Sequence, residues 1–141
     1  MNKPIFVMAL VSLCAFTLVG TSTAYAQGQW GLEGGYNFKR ESVMFGGRFV
    51  VPINPKFKLA PQLAVDFEID ELVLDVDAQM NLNPGTAFYL LAGLNYANDD
   101  AGMNIGGGLQ VHFTQKTKGF FELKYVAFGW DGMIFKGGVL F

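Results

Sequence analysis

The sequence predicts an all-β fold: an eight-stranded, antiparallel, up-and-down transmembrane β-barrel preceded by a cleaved signal peptide. Three observations predict it. The first residues have the three-part layout of an export signal. The remainder holds no apolar run long enough for a membrane helix, although Phe (14) and Gly (18) are abundant in the chain. Its apolar residues instead alternate with polar ones in eight segments, and a period of two places each set on one side of a strand.

Asn2 and Lys3 form a short, singly charged start, Ile5 to Leu18 is apolar apart from Ser12 and Thr17, and Ala24-Tyr25-Ala26 is a small-x-small cleavage site. This is a Sec-type signal over residues 1–26, too short for a transmembrane helix of roughly 20 residues. Cys14 follows Leu13 rather than a small residue, which argues against a lipoprotein signal. The mature part, residues 27–141, is one domain without cysteine, so disulfide and thiol chemistry are excluded. With Lys3 removed, nine basic residues stand against twelve acidic ones, and nothing points to nucleic acid.

Segment one, Gln29 to Phe38, sets Trp30, Leu32, Gly34, Tyr36 and Phe38 against Gln29, Glu33 and Asn37. Segment two, Ser42 to Val51, sets Val43, Phe45, Phe49 and Val51 against Ser42, Met44 and Arg48. Segment three, Lys56 to Phe67, sets Phe57, Leu59, Pro61, Leu63, Val65 and Phe67 against Lys58, Gln62 and Asp66. Segment four sets Leu72, Leu74, Val76 and Met80 against Asp75, Asp77, Gln79 and Asn81. Segment five sets Phe88, Leu90, Leu94 and Tyr96 against Tyr89, Leu91 and Asn95. Segment six sets Met103, Ile105, Leu109, Val111 and Phe113 against Asn104, Gln110 and His112. Segment seven sets Phe121, Leu123, Tyr125 and Ala127 against Phe120, Glu122, Lys124, Val126 and Phe128. Segment eight sets Met133, Phe135, Gly137, Val139 and Phe141 against Ile134, Lys136 and Leu140. Segments five, seven and eight carry apolar residues on both faces.

The breaks are turn-like. Pro52-Ile53-Asn54-Pro55 and Asn83-Pro84-Gly85 cannot extend a central strand. Asn98 to Gly102 and Trp130-Asp131-Gly132 are hairpin signals, with connections expected at 39–41, 68–71, 97–102 and 130–132. A three-residue loop at 130–132 with Gly132 left-handed pairs Ala127 with Phe135 and Tyr125 with Gly137, joining apolar positions. Pro61 lacks the N–H that a ladder needs, so a bulge or locally broken pairing is expected there.

Three features turn the apolar face toward lipid. Eight strands leave an interior only wide enough for side chains, too small for so many Phe, Leu, Val and Ile. The aromatics sort by height: Trp30, Phe57, Phe88, Phe113, Phe121 and Phe141 lie near the end that carries both termini, and Tyr36, Phe38, Phe45, Phe67 and Tyr96 lie near the other, like two interfacial girdles. Ten residues at about 3.3 Å each, tilted by about 40°, span the roughly 25 Å apolar band of such a barrel. In lipid, only a closed barrel satisfies every strand N–H and C=O.

The signal peptide, the eight alternating segments, the short turns and the final strand Phe135-Lys136-Gly137-Gly138-Val139-Leu140-Phe141 resemble the small OmpA/OmpX-type outer-membrane barrels. The resemblance implies residence in the outer membrane, and it makes Phe135, Gly137, Val139 and Phe141 a signal read by the barrel assembly machinery. The partners expected are outer-membrane lipid and that machinery, with the barrel monomeric. The connections at the end away from the termini are short, whereas members of this group often carry binding in long loops there.

The inward face carries Glu33, Arg48, Lys58, Asp66, Asp75, Asp77, Glu122, Lys124 and Lys136. Buried charges must be paired, so this face predicts a salt-bridge network that fills the lumen, with Glu33 near both Arg48 and Lys136. The function expected is a structural or interaction role with a filled polar lumen. The alternatives are a narrow porin-like channel for ions or small solutes, and a soluble periplasmic lipocalin-like ligand binder. No catalytic residue, metal or cofactor is expected. Ser42 and His112, the only such pair in the mature chain, fall at opposite ends, so no nucleophile–base arrangement forms. Asp75 with Asp77, and Asp99-Asp100 near Asp70-Glu71, lack the ligand spacing of a calcium loop. Gly106-Gly107-Gly108 has no following Lys-Ser/Thr or helix, and reads as sharp curvature or close packing rather than a phosphate loop.

Overall fold

The computed structural model describes residues 28–68, 70–83, 87–97, 99–128 and 132–141. The signal expected over residues 1–26 lies outside them, as do Pro84, Gly85, Asn98, Trp130 and Asp131 of the expected turns. Among the described residues there are eight strands and no helix: β1 (Gln29–Asn37), β2 (Ser42–Pro52), β3 (Phe57–Asp66), β4 (Glu71–Asn81), β5 (Phe88–Ala97), β6 (Asp100–His112), β7 (Lys118–Ala127) and β8 (Gly132–Leu140). They pair antiparallel in chain order, and β1 pairs with β8 to close a barrel.

The registers give the barrel's geometry. From Leu32 in one direction the paired residues run Gly47, Leu63, Leu74, Tyr96 and Ala101. In the other direction they run Val139, Gly119 and Val111. Both paths arrive on β6, ten residues apart, so the shear is ten. Eight strands with that shear tilt by about 40° and form a backbone cylinder of about 8 Å radius, which side chains can fill.

Alternation sets the two surfaces. Leu94 and Ile105 are 64% and 67% exposed, whereas the adjacent Asn95 and Asn104 are each 3% exposed. Leu32, Leu63, Leu90 and Leu123 also point outward, and Glu33, Gln62 and Glu122 are buried within. A lipocalin-like binder needs the reverse, an apolar interior around a ligand.

Pro61 breaks the sheet locally without shifting it. The β2–β3 ladder lacks the pairs of Phe49 and Val50 opposite Pro61 and Ala60, and resumes in the same register at Val51–Leu59. On its other side Pro61 stays paired with Val76. The Gln62 side-chain amide donates to the Ala60 carbonyl at 3.3 Å beside the interruption.

Two connections differ from the sequence expectation. β6 begins at Asp100, opposite Ala97, so the β5–β6 hairpin closes on residues 98–99 rather than 97–102, with Asp99 at φ 60°. The Asn/Asp chemistry that tolerates positive φ allows this tighter turn. The β7–β8 register also differs: Tyr125 pairs with Met133 and Leu123 with Phe135, not Tyr125 with Gly137 and Ala127 with Phe135. The last β7–β8 pair is Val126–Gly132, so the connection follows Ala127 and ends before Gly132. Phe128 adopts φ 68°, and Gly132 takes φ 139°, where a Cβ would stand 2.9 Å from Lys39 Cβ. Both registers preserve parity, so the face assignments are unchanged.

Candidate functional site

The lumen is layered. Toward the end formed by connections 38–41, 67–70, 98–99 and 128–131 (the tip end), Met44, Ala64, Val73, Ala97, Val126 and Ile134 make a buried apolar cluster. Toward the end that carries Gly28 and Phe141 (the terminal end), Val50, Ala60, Phe120 and Leu140 make another. These include inward apolar residues that blur the alternation in segments seven and eight. Between the clusters lies an ionic layer.

Arg48 is the centre of that layer. Its Nε donates to Glu33 Oε2 at 2.5 Å. Its Nη1 and Nη2 donate to the two Glu122 oxygens at 2.6 and 2.7 Å, a bidentate clamp, and Nη2 also reaches Gln62 Oε1 at 3.3 Å. The guanidinium carbon sits 3.8 Å from the centroid of the Phe120 ring, which separates it from the terminal mouth. Lys136 Nζ donates to Glu33 Oε1 at 3.1 Å, and to Gln62 Oε1 and Asp75 Oδ2 at 2.8 Å each. Lys124 Nζ donates to Asp75 Oδ2 at 2.8 Å and Asp77 Oδ2 at 3.1 Å. Gln62 Nε2 donates to Asp77 Oδ2 at 2.7 Å, which joins the two halves.

The registers explain the convergence. Arg48, Gln62 and Asp75 are direct cross-strand neighbours on β2, β3 and β4. Arg48 stands opposite Gly31, one diagonal step from Glu33. Glu33 meets Lys136 across the adjacent β1 and β8, and Gln62 meets Asp77 across β3 and β4; the other ionic contacts cross the lumen, from β2 to β7, from β3 to β8 and from β4 to β7 and β8. In this low-dielectric interior each ionic hydrogen bond is strong, and each member left alone is costly.

Seven of the nine inward charges named from the sequence join this connected set. Lys58 and Asp66 also face inward but stand apart from it. Asp66 is buried at the tip end, where Ser42 Oγ donates to its Oδ2 at 2.8 Å. Lys58 lies near the terminal mouth and donates to Gln110 Oε1 at 3.4 Å.

Sequence reasoning missed Tyr89, Gln62, Gln79 and Phe120 as members. The Tyr89 hydroxyl and Gln79 Nε2 donate to Glu122 Oε1 at 2.7 and 3.1 Å. All four share the inward parity of their strands, which was the available signal. Tyr89 fits because Gly108 leaves room: a Cβ there would stand 2.3 Å from Tyr89 Cζ. Asp77 Oδ1, Asn104 Oδ1 and both polar atoms of Asn95 find no partner among the described residues.

The outward aromatics fall toward the two ends. Trp30, Phe57, Phe88, Phe113, Phe121 and Phe141 are exposed toward the terminal end, and Phe38, Phe45 and Phe67 toward the tip end, where Tyr36 and Tyr96 are half-buried. Trp30 and Phe141 pack at 4.9 Å between centroids, and Phe121 stacks on Phe135 at 6.2 Å. Phe141 N donates to the Trp30 carbonyl at 2.8 Å, tying the final residue to β1. Gly137 lies against Phe121, and Val139 is half-buried. Tyr125 is exposed on the outward face, as its parity implies, whereas Phe128, assigned by parity to the inward face, is exposed: it follows the end of β7 at φ 68°, where strand alternation no longer holds. His112 is exposed at the terminal end, the length of the barrel away from Ser42.

No family model matches the sequence, and no curated protein matches it. Solved structures do. The N-terminal β-barrel domain of Pseudomonas aeruginosa OprF superposes with a TM-score of 0.65 at 18% identity, over 80% of this chain and 93% of that one. A de novo designed transmembrane β-barrel matches with a TM-score of 0.60 at 16% identity, over 81% and 92%. The designed barrel TMB2.3, solved by solution NMR, matches with 0.57 at 11% identity, over 81% and 90%. The chain therefore shares the eight-stranded fold of these barrels.

Proposed function

We propose that this chain is an integral outer-membrane β-barrel whose lumen is closed by its own side chains, with a structural or interaction role rather than solute passage or catalysis. The observation that carries this is the inverted distribution of polarity. Leu, Ile, Val and Phe cover the outside, while Arg48, Lys124, Lys136, Glu33, Asp75, Asp77 and Glu122 are buried inside. Water would not tolerate so large an apolar exterior on a monomer, whereas lipid requires it. The two aromatic groups then sit at the membrane interfaces, and the exported chain has lipid and the assembly machinery as its partners.

Two apolar clusters and a cross-lumen ionic layer favour a plug over a pore. A conducting path would have to part Arg48 from Glu122 and displace Phe120. The same barrel as a narrow ion channel is the competing reading, and planar-bilayer recording separates them. The expected result is no steady unitary conductance for the protein refolded from detergent. Detergent-dependent extraction, with heat-modifiable migration on a gel, tests membrane residence. Recovery in the soluble periplasm without detergent would overturn it.

A further inference from the structure

We propose that the terminal mouth of the barrel is a binding site for a phosphate-class oxyanion, held by Lys58, Lys116 and Lys118. These lysines line a cavity of about 390 Å³ that opens at the end carrying Gly28 and Phe141. Lys58 on β3 and Lys118 on β7 are four strands apart, which places them on opposite walls of an eight-stranded barrel. Both have inward parity, and both line the same cavity. Lys116 is held over the mouth by its turn. Thr114 Oγ1 accepts from the Lys116 and Thr117 amides at 3.2 and 3.0 Å, and Gln29 Nε2 donates to the Lys116 carbonyl at 3.3 Å, reaching across β8 to β1.

Among the described residues no carboxylate side chain lines this cavity, and Phe141, the last residue of the sequence, lies on its wall. Among the described residues, the hydrogen-bond partner of Lys58 in the mouth is the neutral Gln110. The nearest inward acid on β7, Glu122, lies beyond Phe120 and is clamped by Arg48. Among the described residues, the acidic residues of the two rims lie at the tip end: Glu41, Glu68, Asp70, Glu71, Asp99 and Asp100. Like charges gathered in a concavity with low-dielectric walls focus a positive potential, which an anion relieves. Three ammonium groups lining one opening supply nine N–H donors. A tetrahedral oxyanion of charge near −2 offers acceptors in several directions and balances most of that charge. The cavity has room beyond a bare anion, so a free phosphate and a phosphoglycerol headgroup share the chemistry.

The test uses the processed chain refolded in an alkyl maltoside at low salt, with inorganic phosphate observed by ³¹P NMR. Saturable broadening is expected for the wild type, at least tenfold weaker for K58Q/K118Q, and unchanged for K56Q, which alters the adjacent turn. Heat-modifiable migration verifies that each variant is folded. In nanodiscs, weaker phosphate binding with phosphatidylglycerol than with phosphatidylcholine identifies the headgroup as the source, and equal binding identifies the free anion. Wild-type protein without saturable broadening overturns the proposal and needs no variant. Equal binding by wild type and folded K58Q/K118Q also overturns it. Neither result bears on membrane residence, which extraction tests separately.

Discussion

Replacing Arg48 with methionine tests whether the ionic layer is a mutually dependent unit. Arg48 makes four hydrogen bonds, one to Glu33, two to Glu122 and one to Gln62. Without it, Glu122 Oε1 keeps Tyr89 and Gln79, but among the described residues no other donor reaches Glu122 Oε2. Glu33 Oε1 keeps Lys136, and Glu33 Oε2 loses its partner. The connected layer holds four carboxylates and three cations, so R48M leaves four against two. Breaking a buried pair from one side costs about 3–5 kcal/mol, and the lost stacking on Phe120 adds up to about 1 kcal/mol, partly restored by the Met side chain. The expected loss is about 4 kcal/mol, measured by urea unfolding from lipid vesicles. R48K keeps the charge but not the fork, and should lose about 1–2 kcal/mol. R48M/E122M should be less destabilised than the two single variants added together, by at least about 2 kcal/mol. An R48M barrel within about 1 kcal/mol of wild type, or additive single variants, would refute the reasoning.

Three further outcomes follow from particular contacts. G108A places a methyl group 2.3 Å from Tyr89 Cζ, so the ring must move off Glu122; a loss of about 1–3 kcal/mol is expected, with altered Tyr89 ring resonances in NMR spectra. I105R puts a charge at the middle of the outward face and should cost about 2–4 kcal/mol in vesicles, while F67R at the tip-end aromatics should cost about 0–1 kcal/mol. A charge tolerated equally at both positions would contradict a lipid-facing exterior. P61A restores an N–H opposite the interrupted stretch of β2. Its hydrogen bond gains about 1 kcal/mol and the freed unfolded chain offsets about as much, so stability should hardly change. The readout is hydrogen exchange, with a protected amide expected at position 61.

The strands and their two faces were legible because a period of two survives in every segment, even where Phe120, Val126 and Leu140 break the polar side. What could not be read was which inward residues touch. Lys58, Asp66 and Asp75 share a parity, but height along the axis assigns them to the mouth, the tip and the middle. That height depends on tilt, which no single strand encodes. Tyr89 and Phe120 were passed over because aromatic composition points outward in such a barrel, although their parity points inward. The neighbouring glycine at 108 was the local sign that a large ring had to be accommodated.

The β7–β8 register shows how closure overrides a local turn preference. The pairing of Ala127 with Phe135 suits a three-residue loop and joins apolar to apolar, so the hairpin alone offers no objection. Barrel closure does. With the other seven registers unchanged, the path from Leu32 through Val139 would run to Leu123 and Gly107, six residues from Ala101 instead of ten. A shear of six narrows the backbone cylinder from about 8 to about 7 Å radius, roughly a quarter less cross-section. Arg48, Lys124, Lys136, Tyr89 and Phe120 all project into that space and are buried there. The wider connection between Ala127 and Gly132 and the bulky ionic layer are therefore two expressions of one constraint. The residues that must be enclosed demand a shear of ten, and the last hairpin opens to supply it.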